Sequence, residues 1–331
     1  MTTSRRDFLS QMTALGSWPA LGGPGGHGNP RANGYAEKVA DRLPDSAPPV
    51  VGLMVYGYRQ LGIVDQISAM RDRGFLGVGF HTEPNLAPLR SFDPFTASIE
   101  EVNRLRGVLS GFRKVEVHGP YSDWDISLVS PNPAIRRTSL EDLERHIDFA
   151  ADLGASVFTA HPGETSAPVS LSEHLKLLED SMQRLAQFAL ARRLLVCIET
   201  SDILVNTSNV HVFDSVKSDF FGMTMDTGHI SFHLPGAEPG LAPYGSIEGF
   251  IAAHGDKIRH VHVNDYNALR DHIGIGQGQL PLRQLLAALH RANYRGFLDM
   301  EVNPTVAPVE EMPAERDLIQ KIIDKTWVNS S

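Results

Sequence analysis

Short apolar runs and longer amphipathic stretches alternate along most of the chain. The runs at 50–56, 76–80, 114–117, 155–160, 194–198, 221–225, 258–263 and 296–300 have strand length and β-branched or aromatic character. In the sixth, Phe221, Met223 and Met225 alternate as one strand face would, the run stops at Asp226, and a Thr-Gly turn is expected before His229. Between these runs, helical spacing is predicted at 64–73, 99–112, 139–153, 172–192, 247–254, 280–292 and 315–323, with a weaker segment at 210–218. In the third of these, Leu140, Leu143, Ile147, Ala150 and Ala151 share one side, and Thr138-Ser-Leu-Glu141 predicts a capping box at its start. Strands that alternate with helices imply a parallel sheet, and eight repeats predict closure into a single-domain α/β (β/α)8 barrel over residues 46–331. An open doubly wound sheet is the alternative. It lacks support because no G-x-G-x-x-G follows the first strand.

The chemistry-bearing residues sit where the apolar runs end. His81, His118, His161, Glu199, Asp226, His262 and Glu301 follow the second to eighth strands in order. A parallel barrel gathers its strand ends at one mouth, so residues far apart in sequence would meet there. Glu199, Asp226, His262 and Glu301 offer three carboxylates and an imidazole, a donor set that suits one divalent Mn, Mg, Co or Zn ion. His81 is expected to line the pocket without touching metal. His260, two residues before His262, shares its face one layer deeper and reads as a packed core histidine. His146, His174, His254 and His290 fall on predicted helices as surface or packing residues. The glycines of Gly274-Ile-Gly276-Gln-Gly278 would allow close backbone approach to a ligand, and a phosphate cradle is one use of such a loop.

Composition narrows the picture. The chain has 331 residues, 42% hydrophobic and 21% charged, which is ordinary for a globular protein. Its net charge of −9 disfavours a general nucleic-acid surface. The single Cys197, inside Leu194-Leu-Val-Cys-Ile198, forbids an internal disulfide and reads as a buried thiol. No apolar run reaches membrane-spanning length.

Residues 1–45 are set apart from the barrel. Ser4-Arg5-Arg6-Asp7-Phe8-Leu9, followed by a mildly apolar stretch, resembles a twin-arginine export signal, and 22–33 reads as a Gly/Pro/Asn-rich linker. That resemblance implies the twin-arginine export machinery as a partner and a periplasmic or otherwise exported protein.

Several motifs together resemble the xylose-isomerase-like TIM-barrel superfamily of sugar isomerases, epimerases and AP endonucleases. They are His118-Gly-Pro-Tyr121, His161-Pro-Gly163, Ile198-Glu-Thr200, Met225-Asp-Thr-Gly-His229, His262-Val-Asn-Asp265, His272 with Gly276-Gln-Gly278, and Met300-Glu-Val302. The sugar-active branch implies one divalent metal on Glu199, Asp226, His262 and Glu301. Glu199 and Glu301 would flank the reacting carbon, one taking a proton α to the carbonyl and the other returning it, with the metal as Lewis acid for the enediolate. Isomerisation, epimerisation and dehydration share that first step. His229 and Arg270 would hold hydroxyls of a sugar or polyol, and Tyr121 and Trp124 form an apolar wall or simply pack at the rim. The endonuclease branch instead implies a polynuclear zinc phosphoesterase with two or three zinc ions, recruiting His118, His161, His229 and His272. Its third zinc also expects an aspartate two residues before His272, where this chain has Arg270, with Asp271 displaced by one. A non-catalytic sugar-binding barrel is the remaining reading.

Overall fold

A computed structural model of the chain describes residues 47–56, 62–83, 91–121, 125–165, 167–233, 239–303 and 310–327. Eight strands close a barrel in sequence order: β1 (Val50–Val55), β2 (Gly77–His81), β3 (Lys114–His118), β4 (Val157–Ala160), β5 (Leu195–Glu199), β6 (Phe221–Asp226), β7 (Ile258–Val263) and β8 (Phe297–Met300). Every pairing is parallel, and β8 closes on β1 with Gly52 opposite Asp299. The outer helices are α1 (Ile63–Asp72), α2 (Ile99–Leu109), α3 (Pro133–Leu153), α4 (Leu171–Arg192), α5 (Thr227–Ser231), α6 (Ile247–His254), α7 (Leu282–Arg291) and α8 (Met312–Trp327). The expected (β/α)8 barrel is therefore the observed fold. The export signal, the linker and Trp124 lie outside the described residues. Among the described residues no helix is long and apolar enough to cross a membrane.

Local chemistry shifts three predicted elements. Helix α3 starts at Pro133 rather than Ser139, because Asn132 caps Ala134 N–H at 3.0 Å and proline takes the first helical position. The capping box expected at Thr138-Ser-Leu-Glu141 is thus helix interior. There Ser139 Oγ accepts from Ser127 N–H at 3.0 Å and ties the β3–α3 loop down. The weak segment after β5 is a 3₁₀ helix, Thr207–Ser215. The turn expected after Asp226 is the single-turn helix α5, with Asp226 as its cap.

The main apolar core lies between sheet and helices, where Phe80, Phe158, Leu143, Leu178 and Leu285 are fully buried. Inside the barrel, the period of two sorts side chains into layers. Val50, Val157, Cys197 and Phe297 form a small apolar floor. The Phe297 ring lies over Gly52 and Gly77, and a Cβ on either would overlap it. Above come Glu116, Thr159, Thr224, His260 and Asp299, all fully buried. Two residues further along each strand stand the residues of the mouth. Burial pushes the Cys197 thiol upward, so it stays protonated, as its place in the floor requires.

Helix α8 reaches over the β7–α7 loop through Glu315, whose Oε2 accepts from Ile275 N–H at 2.8 Å. Burial raises this carboxyl from 4.5 to about 7. The folded state therefore binds the proton more tightly than the unfolded chain. The stabilisation is complete below the unfolded value of 4.5 and is lost as pH rises through about 7. Glu315→Gln keeps the acceptor without the charge. It is expected to flatten the fall in Tm over that pH window, measured by thermal melts in matched buffers.

Candidate active site

Four strand ends converge in the mouth. Donor atoms of Glu199 (β5), Asp226 (β6), His262 (β7) and Glu301, just past β8, all lie within 4.8 Å of one another, and all four side chains are buried. His262 Nδ1 is 2.7 Å from Glu301 Oε2, 3.6 Å from Glu199 Oε2 and 4.0 Å from Asp226 Oδ2. His262 Nδ1, Glu199 Oε1 and Glu301 Oε2 make no properly directed hydrogen bond among the described residues. Buried acceptors and a ring nitrogen that crowd together without satisfying each other are what a hard cation requires of its site.

The electrostatics agree. Burial opposes ionisation, yet the rings of His161 and His262 hold Glu199 well below the usual carboxylate range. Glu301 is held low in the same way, chiefly by His262. Burial instead raises Asp226, with His229 and His272 acting against it. Against their own burial, Glu199 and Asp202 lift His161 to about 10, and Glu116 with the mouth carboxylates lifts His262 well above its ordinary value. The cluster thus draws positive charge to itself through protonated rings, a role that a divalent cation would fill with the rings neutral.

The strand ends are braced against each other. Asp226 Oδ1 accepts from His229 N–H and Oδ2 from Asn264 Nδ2, both at 2.7 Å. Its own N–H donates to Thr200 Oγ1 at 2.9 Å. Thr227 Oγ1 donates to Asn264 C=O at 2.8 Å. These bonds fix β5, β6 and β7 in one register, so the carboxylates are placed by backbone rather than by flexible side chains.

Further histidines surround the four. His118 Nε2 and His161 Nε2 lie 3.2 and 3.0 Å from Glu199 Oε2. His229 Nδ1 lies 3.0 Å from Glu199 Oε1, and His272 Nε2 lies 3.8 Å from both Asp226 Oδ2 and Glu301 Oε2. Two more clusters with metal-ligand spacing result: His118, His161 and Glu199, and Asp226, His229 and His272. Tyr121 packs edge-on to His118 and tilted against His161, with ring centroids 6.2 and 5.3 Å away. The His81 ring lies tilted between those of Tyr56 and His118, and its Nε2 is 3.9 Å from Glu301 Oε1. Burial and His118 lower His81 to about 3, so it stays neutral.

Arg270 is exposed, and its backbone closes a turn with Asn267 instead of facing the mouth. Asp271, the displaced aspartate, meets His272 Nδ1 at 3.2 Å, on the ring edge away from Asp226. The Gly-rich loop also differs from the phosphate cradle considered above. The N–H groups of Gly276, Gly278 and Leu280 all donate to the Asp265 carboxylate, at 3.0, 2.9 and 2.8 Å, so they are not presented to a ligand. Of the helix histidines, His146 is buried with Nδ1 2.9 Å from Thr82 Oγ1, and His290 packs edge-on to Trp327.

Three residues, one in the mouth and two in the layer beneath it, escape motif reading. Tyr56, just after β1, donates to Glu301 Oε1 at 2.6 Å. Burial and Glu301 raise its phenol well above the usual value, so it remains a donor. Glu116 and Asp299 lie two residues before His118 and Glu301, and strand periodicity alone marks them as pointing inward. Burial and Glu116 push the Asp299 carboxyl well above the carboxylate range.

His161 leads into a turn that requires glycine. Gly163 sits at φ +73°, its N–H donates to Asp202 Oδ2 at 2.9 Å, and a Cβ there would overlap the Ile126 carbonyl oxygen. Gly163→Ala is expected to destabilise the fold by about 2 kcal/mol or more in urea titrations, combining left-handed strain with a backbone clash.

The chain belongs to the xylose isomerase-like TIM barrel family, whose profile matches residues 67–322. Among curated relatives it is 25% identical over 178 residues to the fructoselysine 3-epimerase of Shigella flexneri, a match that covers 51% of this chain and 60% of that enzyme. The chain spans 53% and 64% of the lengths of two further, uncharacterised relatives. Among solved structures, a D-tagatose 3-epimerase-like protein superposes with a TM-score of 0.68 at 18% identity, covering 85% of this chain and all (100%) of the other. A D-psicose 3-epimerase in the presence of D-fructose gives 0.67 at 16% identity, covering 84% and 99%.

Proposed function

We propose that the protein is a divalent-metal-dependent epimerase or isomerase of a keto-sugar or related polyol. The observation that carries this reading is the convergence of Glu199, Asp226, His262 and Glu301, from four adjacent strand ends, with donor atoms within 4.8 Å. These residues would hold one Mn, Mg, Co or Zn ion. When bound, such an ion supplies Lewis-acid stabilisation for negative charge that develops on a substrate oxygen. The chain's own groups do the rest. Glu199 enters the mouth from β5 and Glu301 from the end of β8, at the two ends of this run of four strands, and the substrate carbon would lie between them. One removes the proton α to the carbonyl, and the other returns a proton to the opposite face or to the neighbouring carbon. Tyr56 holds Glu301 Oε1, and His229 stands beside Glu199 Oε1, so each carboxylate has a fixed orientation. His118, His161 and Tyr121 line the wall that would meet the sugar hydroxyls. The names of the similar proteins described above, a fructoselysine 3-epimerase and two of the tagatose and psicose 3-epimerase kind, support this substrate class.

A second reading rests on the two extra histidine clusters, which share Glu199 and Asp226 with the first. It makes the protein a polynuclear zinc phosphoesterase. Elemental analysis of purified protein separates the two. About one divalent ion per chain, with deuterium uptake from D₂O into D-fructose, D-tagatose or D-psicose, supports the epimerase. Two or three zinc ions per chain, with phosphodiester cleavage and no exchange, support the phosphoesterase. We also propose export by the twin-arginine route, carried by Arg5 and Arg6. A reporter fused to residues 1–45 should lose export when both become Lys.

A further inference from the structure

Beneath the mouth, Glu116 lies at the centre of a polar layer that the proposed chemistry does not touch. It is fully buried, and so are His260, His262 and Asp299 around it. Its two carboxylate oxygens face two different rings. Oε1 is 2.9 Å from His262 Nε2, and Oε2 is 2.5 Å from His260 Nε2. The carboxylate is acceptor-only, so both Nε2 atoms must carry the proton. The His262 ring therefore spans two layers, with Nε2 on Glu116 below and Nδ1 among the carboxylates above.

The surroundings of Glu116 and His260 are closely packed. Asp299 fills the barrel beside it, in space that exists because position 79 is glycine: a Cβ there would overlap Asp299 Oδ2 and come within 2.9 Å of Met54 Cε. The Phe297 ring packs tilted against His260, with ring centroids 5.2 Å apart.

We propose that Glu116 is a positioning residue that fixes the tautomer and rotation of His262, so that Nδ1 is the nitrogen offered to the cation, with His260 locking Glu116 in turn. The cation half of this inference rests on the single-metal reading above. Glu116, His260 and His262 also have spacing that could hold an ion themselves. Geometry favours the hydrogen-bonded arrangement. Each Glu116 oxygen already lies at hydrogen-bond distance from a different ring Nε2, at 2.9 and 2.5 Å, so both pairs are satisfied with no ion between them. Outer partners of this kind set ligand orientation and basicity, and losing one costs about 10–100-fold in metal affinity.

The test uses full-length protein and zinc as the probe. In long-range ¹H–¹⁵N spectra of the zinc-loaded protein, His262 should keep a proton on Nε2 and coordinate through Nδ1. Calorimetry should show Glu116→Gln binding zinc about 10–100-fold more weakly, with its far-UV spectrum unchanged. The glutamine amide turns a donor toward one of the two Nε2–H groups, so one ring must flip its tautomer, and the spectra read this directly. The wild-type spectra need no variant, so a Glu116→Gln chain that fails to fold does not remove the test.

Three results would overturn the proposal: His262 Nε2 without a proton, unchanged zinc affinity in Glu116→Gln, or two zinc ions in the wild type with one lost in the variant. The last would make Glu116 a ligand. Wild-type protein that binds no zinc, yet keeps the His262 Nε2 proton on Glu116, overturns the single-metal reading and leaves the orientation of His262 standing.

Discussion

On the proposed mechanism, Glu199→Gln and Glu301→Gln are each expected to reduce turnover by about 10²–10⁴-fold, the usual contribution of a general acid–base group. An amide keeps the shape of the side chain and its hydrogen-bond acceptor, so the barrel should remain intact. In Glu301→Gln, Tyr56 can still donate to the amide carbonyl oxygen, as it does to Glu301 Oε1 at 2.6 Å. The pair separates its roles in isotope experiments. If one glutamate removes the substrate proton and the other returns a proton, the two variants will retain different amounts of solvent exchange, measured by mass or NMR in D₂O. Near-wild-type turnover in either variant would remove the two-glutamate mechanism.

Asp226→Ala should have the larger combined effect, because this residue has two functions. It is one of the four donors in the mouth, and its Oδ1 and Oδ2 are braced by His229 N–H and Asn264 Nδ2. Truncation leaves a helix end without its cap, at a cost of about 1 kcal/mol. It also strands the buried Asn264 amide. Metal affinity should fall by more than about 100-fold, beyond the range set by outer partners alone, and Tm should fall even without metal. Calorimetric titration with Mn and a metal-free thermal melt measure the two losses separately. A variant with lower metal affinity and unchanged metal-free Tm would confine Asp226 to the ligand role.

Much of this is legible in the sequence, because a parallel barrel converts strand ends into a site. The ring from His118 to Glu301 can be placed by finding where each apolar run stops. The layer below is half legible. The period of two places His260 beneath His262, but Glu116 and Asp299 look like ordinary charged residues in β3 and β8. Their importance depends on which residues face them across the barrel, and that requires strand register. Tyr56 is hidden for a similar reason, since its partner Glu301 is at the far end of the chain. Helix starts are the weakest point. The capping-box pattern at Thr138-Ser-Leu-Glu141 is real as a pattern, but Asn132-Pro133 upstream captures the start first. Arg270 points toward the mouth only by its nearness in sequence to His272. His272 itself adopts φ +53°, and Arg270 two residues earlier is exposed.

The aromatic floor of the barrel has a kinetic meaning. Phe297 over Gly52 and Gly77, with Val50 and Val157, closes the lower end. The cup above it is a dead end, so whatever enters must leave through the same doorway. Substrate and product therefore queue for a single passage, and accumulated product should slow the forward reaction by occupancy as well as by mass action. In the proposed reaction product and substrate would differ at one carbon, and the doorway itself would have little basis on which to tell them apart.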